Sequence, residues 1–283
     1  MKCTRLLLAV VLMLGLFAGC GSQTAPDQEG DVILATTYPM YYLTCRLTEG
    51  MEGITVEQMI TEPVSCLHDY TLTTEQMKKI ERADLIVMNG CGLEDFMADA
   101  LKGVAQENIV DCGSRDYPED PHYWLNPMAY QEASGTASEA LAARYPEQYN
   151  TLSANSNQLT QELTALYEEM QAELKDLSCR EMITFHDGFT YFADSMDLTI
   201  AAAIEEEEGA EPSAAELQEI CALIEQDNIP AIFVEKNGST NAAEIIARET
   251  GVKIYTLTTI MDGETDYFTA MRENVQTVKE ALS

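Results

Sequence analysis

The sequence predicts an α/β protein of two lobes with parallel sheets, joined by one long rigid helix. Three observations predict it. Short, continuous apolar runs alternate with amphipathic stretches in both the first and the last third of the chain, as strands buried on both faces do between crossover helices. Residues 147–178 carry no strand signal, and Leu152, Leu159, Leu163, Leu166, Met170, Leu174 and Leu177 recur there at helical spacing. The 283 residues leave enough chain for two lobes of ordinary size once a leader is set aside.

Residues 1–19 read as that leader. Met1-Lys2-Cys3-Thr4-Arg5 is a short basic start, and residues 6–16 are an unbroken apolar run, too short to span a bilayer comfortably. The run ends in Phe17-Ala18-Gly19-Cys20, which resembles the lipobox of bacterial lipoproteins, with Phe17 where leucine is usual. That resemblance makes Cys20 the lipidated first residue of the mature chain and residues 20–30 a flexible tether at the membrane surface. The plainer alternative is a cleaved, freely secreted protein.

Residues 31–127 are then expected to form the N-terminal lobe. Residues 31–37 (DVILATT) read as a strand, 41–47 as a helix and 54–60 as a second strand. Thr73 and Gln76 make a capping box for a helix through Arg82, and residues 84–88 and 108–112 are further strands, the former stopped by Asn89-Gly90. Residues 128–178 form a helical linker: a helix after Pro127, then, past Pro146, the long strut, about 28 residues and roughly 40 Å.

Residues 179–283 are expected to form the C-terminal lobe. Its strands are 181–185, 198–204, 231–234 and 253–257. Ser213 and Glu216 cap one helix, Gly251 closes another over 241–250, and Tyr267, Met271, Val275, Val278 and Leu282 stripe the last. No internal repeat stands out.

Sixteen basic residues against 48 acidic ones give a net charge of -32. Such a chain is not built for nucleic acid or anionic lipid headgroups, and it is compatible with a cation ligand. Of eight cysteines, Cys3 leaves with the leader and Cys20 takes the lipid; Cys45, Cys66, Cys91, Cys112, Cys179 and Cys221 remain. None forms a Cys-x-x-Cys pair, so no compact thiolate zinc site is suggested, and their pairing is left open.

The chain has three histidines, His68, His122 and His186, each in a loop after a strand-like run. Ligands of open parallel sheets collect at the carboxyl ends of strands, and two facing lobes make a cleft there. His122 is the most constrained. It lies in Glu119-Asp120-Pro121-His122-Tyr123-Trp124-Leu125-Asn126-Pro127, between two prolines and beside the only tryptophan. One such residue alone would read as an ordinary hydrogen-bonded histidine. Three in equivalent positions read as imidazole ligands of one Zn2+.

At these residues the chain resembles the solute-binding lipoproteins of bacterial zinc and manganese ABC importers. The resemblance covers nearly all of the mature sequence. It is carried by Leu67-His68-Asp69-Tyr70 with Thr73, by the His122 segment, by Phe185-His186-Asp187-Gly188-Phe189-Thr190-Tyr191-Phe192, by Glu211-Pro212-Ser213, by Ile232-Phe233-Val234-Glu235 and by the final helix. It implies two α/β lobes joined by a long rigid helix, with the metal in the cleft between lobes and His68, His122 and His186 as ligands. A histidine at the third position favours zinc over manganese. The family's usual fourth ligand, an aspartate after the last strand, is matched here by Thr258, a poor ligand, and the histidine-rich loop of many zinc-type members is absent.

Glu205, Asp262, Cys66 and water remain as candidates for the fourth position. Glu205 ranks first, although a run of four glutamates also reads as a solvated loop; Glu235 reads as a group that orients a bound histidine. The implied function is a non-enzymatic, monomeric, extracytoplasmic protein, anchored to the cell membrane through lipidated Cys20, that captures Zn2+ and hands it to an ABC permease, with Mn2+ the lesser ligand. The rival readings are a secreted zinc hydrolase with water on the metal, for which no His-Glu-x-x-His motif is present, and a manganese-binding or adhesin-type relative on the same scaffold.

Overall fold

Strand β1 (Asp31–Ala35) opens the fold with four successive buried residues, as a central parallel strand requires. The computed structural model describes residues 30–64, 67, 70–113, 120–185, 188–204 and 212–283. The expected leader and most of the tether lie outside them. Asp31–Ser283 forms one compact unit.

Helix α1 (Tyr38–Thr48) follows β1, started by Thr37, whose hydroxyl accepts from the Met40 N–H, and by Pro39 in its first turn. Strand β2 (Ile54–Gln58), helix α2 (Thr74–Arg82), strand β3 (Leu85–Met88), the short helix α3 (Ala98–Leu101) and strand β4 (Ile109–Asp111) complete the first half. The capping box predicted at Thr73 and Gln76 is formed in both directions. All pairings are parallel, in the order β2-β1-β3-β4, with Ile33 between Val56 and Leu85.

The chain crosses to the second half through α4 (Pro127–Arg144) and α5 (Tyr149–Glu173). Helix α5 buries the predicted stripe Leu152, Leu159, Leu163, Leu166 and Met170. It packs on α1 and α4 and also on the last helix of the chain, so it bridges the two halves. It is shorter than expected, 25 residues, and Leu177 lies beyond it. Arg180 explains where it stops: its guanidinium donates to the carbonyls of Leu174 (3.0 Å) and Lys175 (2.8 Å), taking up carbonyls that another turn would have used.

The second half holds β5 (Glu181–Thr184), α6 (Thr190–Ser195), β6 (Thr199–Ala203), α7 (Ala214–Asp227), β7 (Ala231–Glu235), α8 (Asn241–Thr250), β8 (Lys253–Leu257) and α9 (Tyr267–Leu282). Its parallel sheet is ordered β6-β5-β7-β8, the same plan as the first. The repeat is one of topology, invisible in the residues. Ser213 and Glu216 form their capping box, and Gly251 closes α8 at φ 80°.

Helix α9, read from sequence as part of the second lobe, also packs across the first. The Tyr267 ring lies 4.4 Å from that of Tyr130 on α4, and its hydroxyl donates to the Trp124 carbonyl at 2.7 Å. Cys45, Cys112, Cys179 and Cys221 are free thiols.

Candidate metal centre

In each sheet the chain leaves the first strand in opposite directions, so the point of reversal falls between β1 and β3 in one half and between β5 and β7 in the other. Ligand sites of such sheets lie outside the strands' carboxyl ends at that point. In the first half those ends carry Thr36 and Thr37 after β1 and the loop Asn89–Glu94 after β3, with Thr36, Thr37, Asn89 and Glu94 all buried. The His122 segment is fastened to them: the Asn89 side-chain amide donates to the Pro121 carbonyl at 2.9 Å, and the Tyr123 hydroxyl donates to the Asn89 carbonyl at 2.8 Å.

His122 is 3% exposed. The Asp120 carboxylate accepts from its backbone N–H at 2.9 Å and lies 3.0 Å from its Nδ1, which fixes the ring and favours the tautomer protonated at Nδ1. A metal would then be met by Nε2. The Trp124 ring is 5.3 Å away, and its indole N–H donates at 2.8 Å to the Thr259 carbonyl, in the loop after β8. Tyr123 meets Tyr191 of α6 edge to face, ring centroids 6.4 Å apart. The turn that carries His122 therefore packs against the second half on one side and the first sheet on the other.

Of the predicted ligands, His122 falls within the described residues; His68, His186, Glu205 and Cys66 lie outside them, as does Cys20. Among the described residues, no three His, Cys, Asp or Glu side chains are gathered to hold a metal. Near the last strand, both Thr258, at the position of the family's usual aspartate, and Asp262, the alternative fourth ligand, have partners of their own. The Thr258 hydroxyl accepts from the Ile260 N–H at 3.0 Å, steadying a buried, β-branched residue at φ 62°. Asp262 lies 3.0 Å from the Lys236 ammonium, and its carboxylate also accepts from the Glu264 N–H at 3.1 Å. Glu235 is buried at the carboxyl end of β7, the strand next to β5, which leads to His186.

Two residues that sequence reasoning passed over belong to this site. Asp120 had a local signal, a carboxylate two positions before a histidine. Glu94, one of 48 acidic residues, had none. It is buried, with Oε1 accepting from Thr36 Oγ1 (2.6 Å) and the Asn89 N–H (2.7 Å) and Oε2 from the Gly90 N–H (2.9 Å). Burial pushes its carboxyl up to about 7, against the pull of these three donors.

Two like-ordered parallel sheets, a helical bridge and a histidine clamped where the halves meet define a two-lobed α/β protein. Residues 33–281 match the family described as ZnuA, "Zinc-uptake complex component A periplasmic", and the chain belongs to that family. It is 26% identical over 292 residues to the zinc-binding protein AdcA of Streptococcus pyogenes serotype M6, an alignment covering 89% of this chain and 56% of that one. It thus spans little more than half the length of such curated relatives. To the high-affinity zinc uptake system protein ZnuA of Bacillus subtilis (strain 168) it is 26% identical over 302 residues, with 94% of each covered. A crystal structure of ZnuA superposes with a TM-score of 0.78 at 25% identity, covering 90% of this chain and 100% of that one.

Proposed function

We propose that this chain captures Zn2+ outside the cell and delivers it to the permease of an ABC importer, with no enzymatic step of its own. The observation that carries this reading is His122: buried, backed by a carboxylate on Nδ1 and held between the two halves, it is arranged as a metal-binding imidazole whose Nε2 carries the lone pair. Membership of the zinc-uptake family supports zinc as the cargo. His68, His122 and His186 are the proposed imidazole ligands, at the usual Zn–N distance of about 2.0 to 2.1 Å, with Glu205 as the fourth ligand. The proposed organisation is a leader over 1–19, a tether over 20–30 lipidated at Cys20, lobes over 31–127 and 179–283 and the linker between, working as a monomer at the outer face of the membrane. Capture and release then require only that affinity differ between the free and the permease-docked states.

Metal content after purification under limiting metal, followed by competition between Zn2+ and Mn2+, tests the reading directly. One tightly held Zn2+ is the expected result; absence of bound zinc, or equal retention of Mn2+, overturns it. Asp120→Asn is expected to weaken Zn2+ binding by about 10–100-fold, the usual cost of losing the carboxylate behind a metal-bound histidine. Glu205→Gln is expected to lower affinity while Asp262→Asn leaves it within about threefold, since the Asp262 carboxylate is already paired with Lys236, an ammonium it shares with Glu264. Titration against a chromophoric chelator reads both, and the reverse order would move the fourth ligand to Asp262.

A further inference from the structure

We infer that Glu94 is a positioning residue for the metal site: its buried carboxylate sets the Asn89–Gly90 turn, and through Asn89 it holds the residues on either side of His122, Pro121 by its backbone carbonyl and Tyr123 by its hydroxyl. The inference rests on the zinc-ligand reading of His122 but is drawn from contacts that do not involve the metal. Glu94 receives both backbone N–H groups of the turn, one on each oxygen. Asn89 then grips the His122 segment twice, its side chain on the Pro121 carbonyl and its own carbonyl under the Tyr123 hydroxyl. No side chain could replace this arrangement at Gly90. Its φ is 83°, and a Cβ there would run into the Asp111 carboxylate and stand 2.8 Å from the Gly113 backbone nitrogen. Glu94 thus stands two links from the imidazole, its own hydrogen bonds going to Thr36, Asn89 and Gly90.

Glutamine cannot reproduce the contact. Whichever way its amide is turned, the NH2 group faces either the Asn89 or the Gly90 N–H, donor against donor. A proton on Glu94 relieves the same contact more gently, because Thr36 Oγ1 can accept it and turn its own hydroxyl to the Val87 carbonyl, 3.4 Å away. Of the other titratable groups around Glu94, the Asp111 carboxylate opposes its charge, while the charge of Glu94 in turn helps to hold the Cys112 thiol and the Tyr123 phenol in their neutral forms.

The test uses the full chain and Zn2+ alone. Glu94→Gln is expected to lower Zn2+ affinity by about tenfold, the low end for an outer partner of a metal-bound histidine. In the metal-free protein it should also move one of three histidine ring signals, the one assigned by its loss in His122→Ala. The affinity ratio of wild type to Glu94→Gln should shrink as pH falls from 8 to 6, as the native carboxyl takes up a proton. Asn89→Ala should give a similar loss, and the double variant no more than either single one, because both cut the same link. Affinity within about twofold of wild type, with an unmoved His122 signal, overturns the inference. So does full additivity of the two substitutions. A wild-type protein that binds no Zn2+ would instead overturn the zinc reading, while the ring signal in the metal-free protein would still decide whether Glu94 positions His122.

Discussion

Replacing His122 with alanine is expected to weaken Zn2+ binding by well over the roughly 10–100-fold that loss of an outer hydrogen-bond partner costs, because a directly coordinating imidazole is removed. The ring is almost wholly buried and its Nδ1 is held by Asp120, so its loss removes a pre-oriented ligand for which alanine offers no substitute. His122→Gln keeps most of the volume and separates loss of a ligand from loss of packing; its melting temperature should stay near that of the wild type while affinity falls. Chelator competition measures the effect. Unchanged stoichiometry and affinity in both variants would remove His122 from the metal site and the importer reading with it.

Trp124→Ala is expected to destabilise the metal-free protein by about 4 kcal/mol, within the usual range for truncating a buried tryptophan. The side chain is fully buried, and its indole N–H satisfies the Thr259 carbonyl from the other half. Truncation leaves that carbonyl buried without its donor, which adds to the cavity cost. Against a typical total stability of about 5–15 kcal/mol this is a large fraction. Because Trp124 is the only tryptophan, urea unfolding must be followed by far-ultraviolet circular dichroism instead of fluorescence. A loss below about 1 kcal/mol would mean that the contact between the His122 turn and the loop after β8 contributes little to holding the halves together.

Much of the architecture was legible in the residues because it rests on local signals. Eight strand-like runs became eight strands, each within two residues of its expected ends, and the central ones such as β1, β3 and β7 are apolar runs because they are covered on both faces. Capping boxes at Thr73 and Ser213 and the glycine at 251 work over three or four residues and formed as read. The long helix was legible as a stripe but not in its length. Its end is set by Arg180, a residue outside the helix whose hold on the Leu174 and Lys175 carbonyls depends on the fold having already turned. Likewise α9 was assigned to one half, whereas Tyr267 reaches Trp124 and Tyr130 in the other.

By itself the sequence determined the alternation of strands and helices, the bridging helix and the choice of His122 as a constrained imidazole, because hydrophobic period, caps and prolines act on near neighbours along the chain. Only the tertiary structure decided that both sheets share one strand order, that Asp262 is spent on Lys236, and that a single glutamate, Glu94, underlies the turn holding His122. Those outcomes depend on contacts such as Lys236 with Asp262 and Asn89 with Pro121, between segments well separated along the chain. The role of Glu94 is set by its burial and by the Thr36 hydroxyl, 58 positions earlier, as much as by the nearby Asn89 and Gly90, and its own stretch of sequence does not encode that burial.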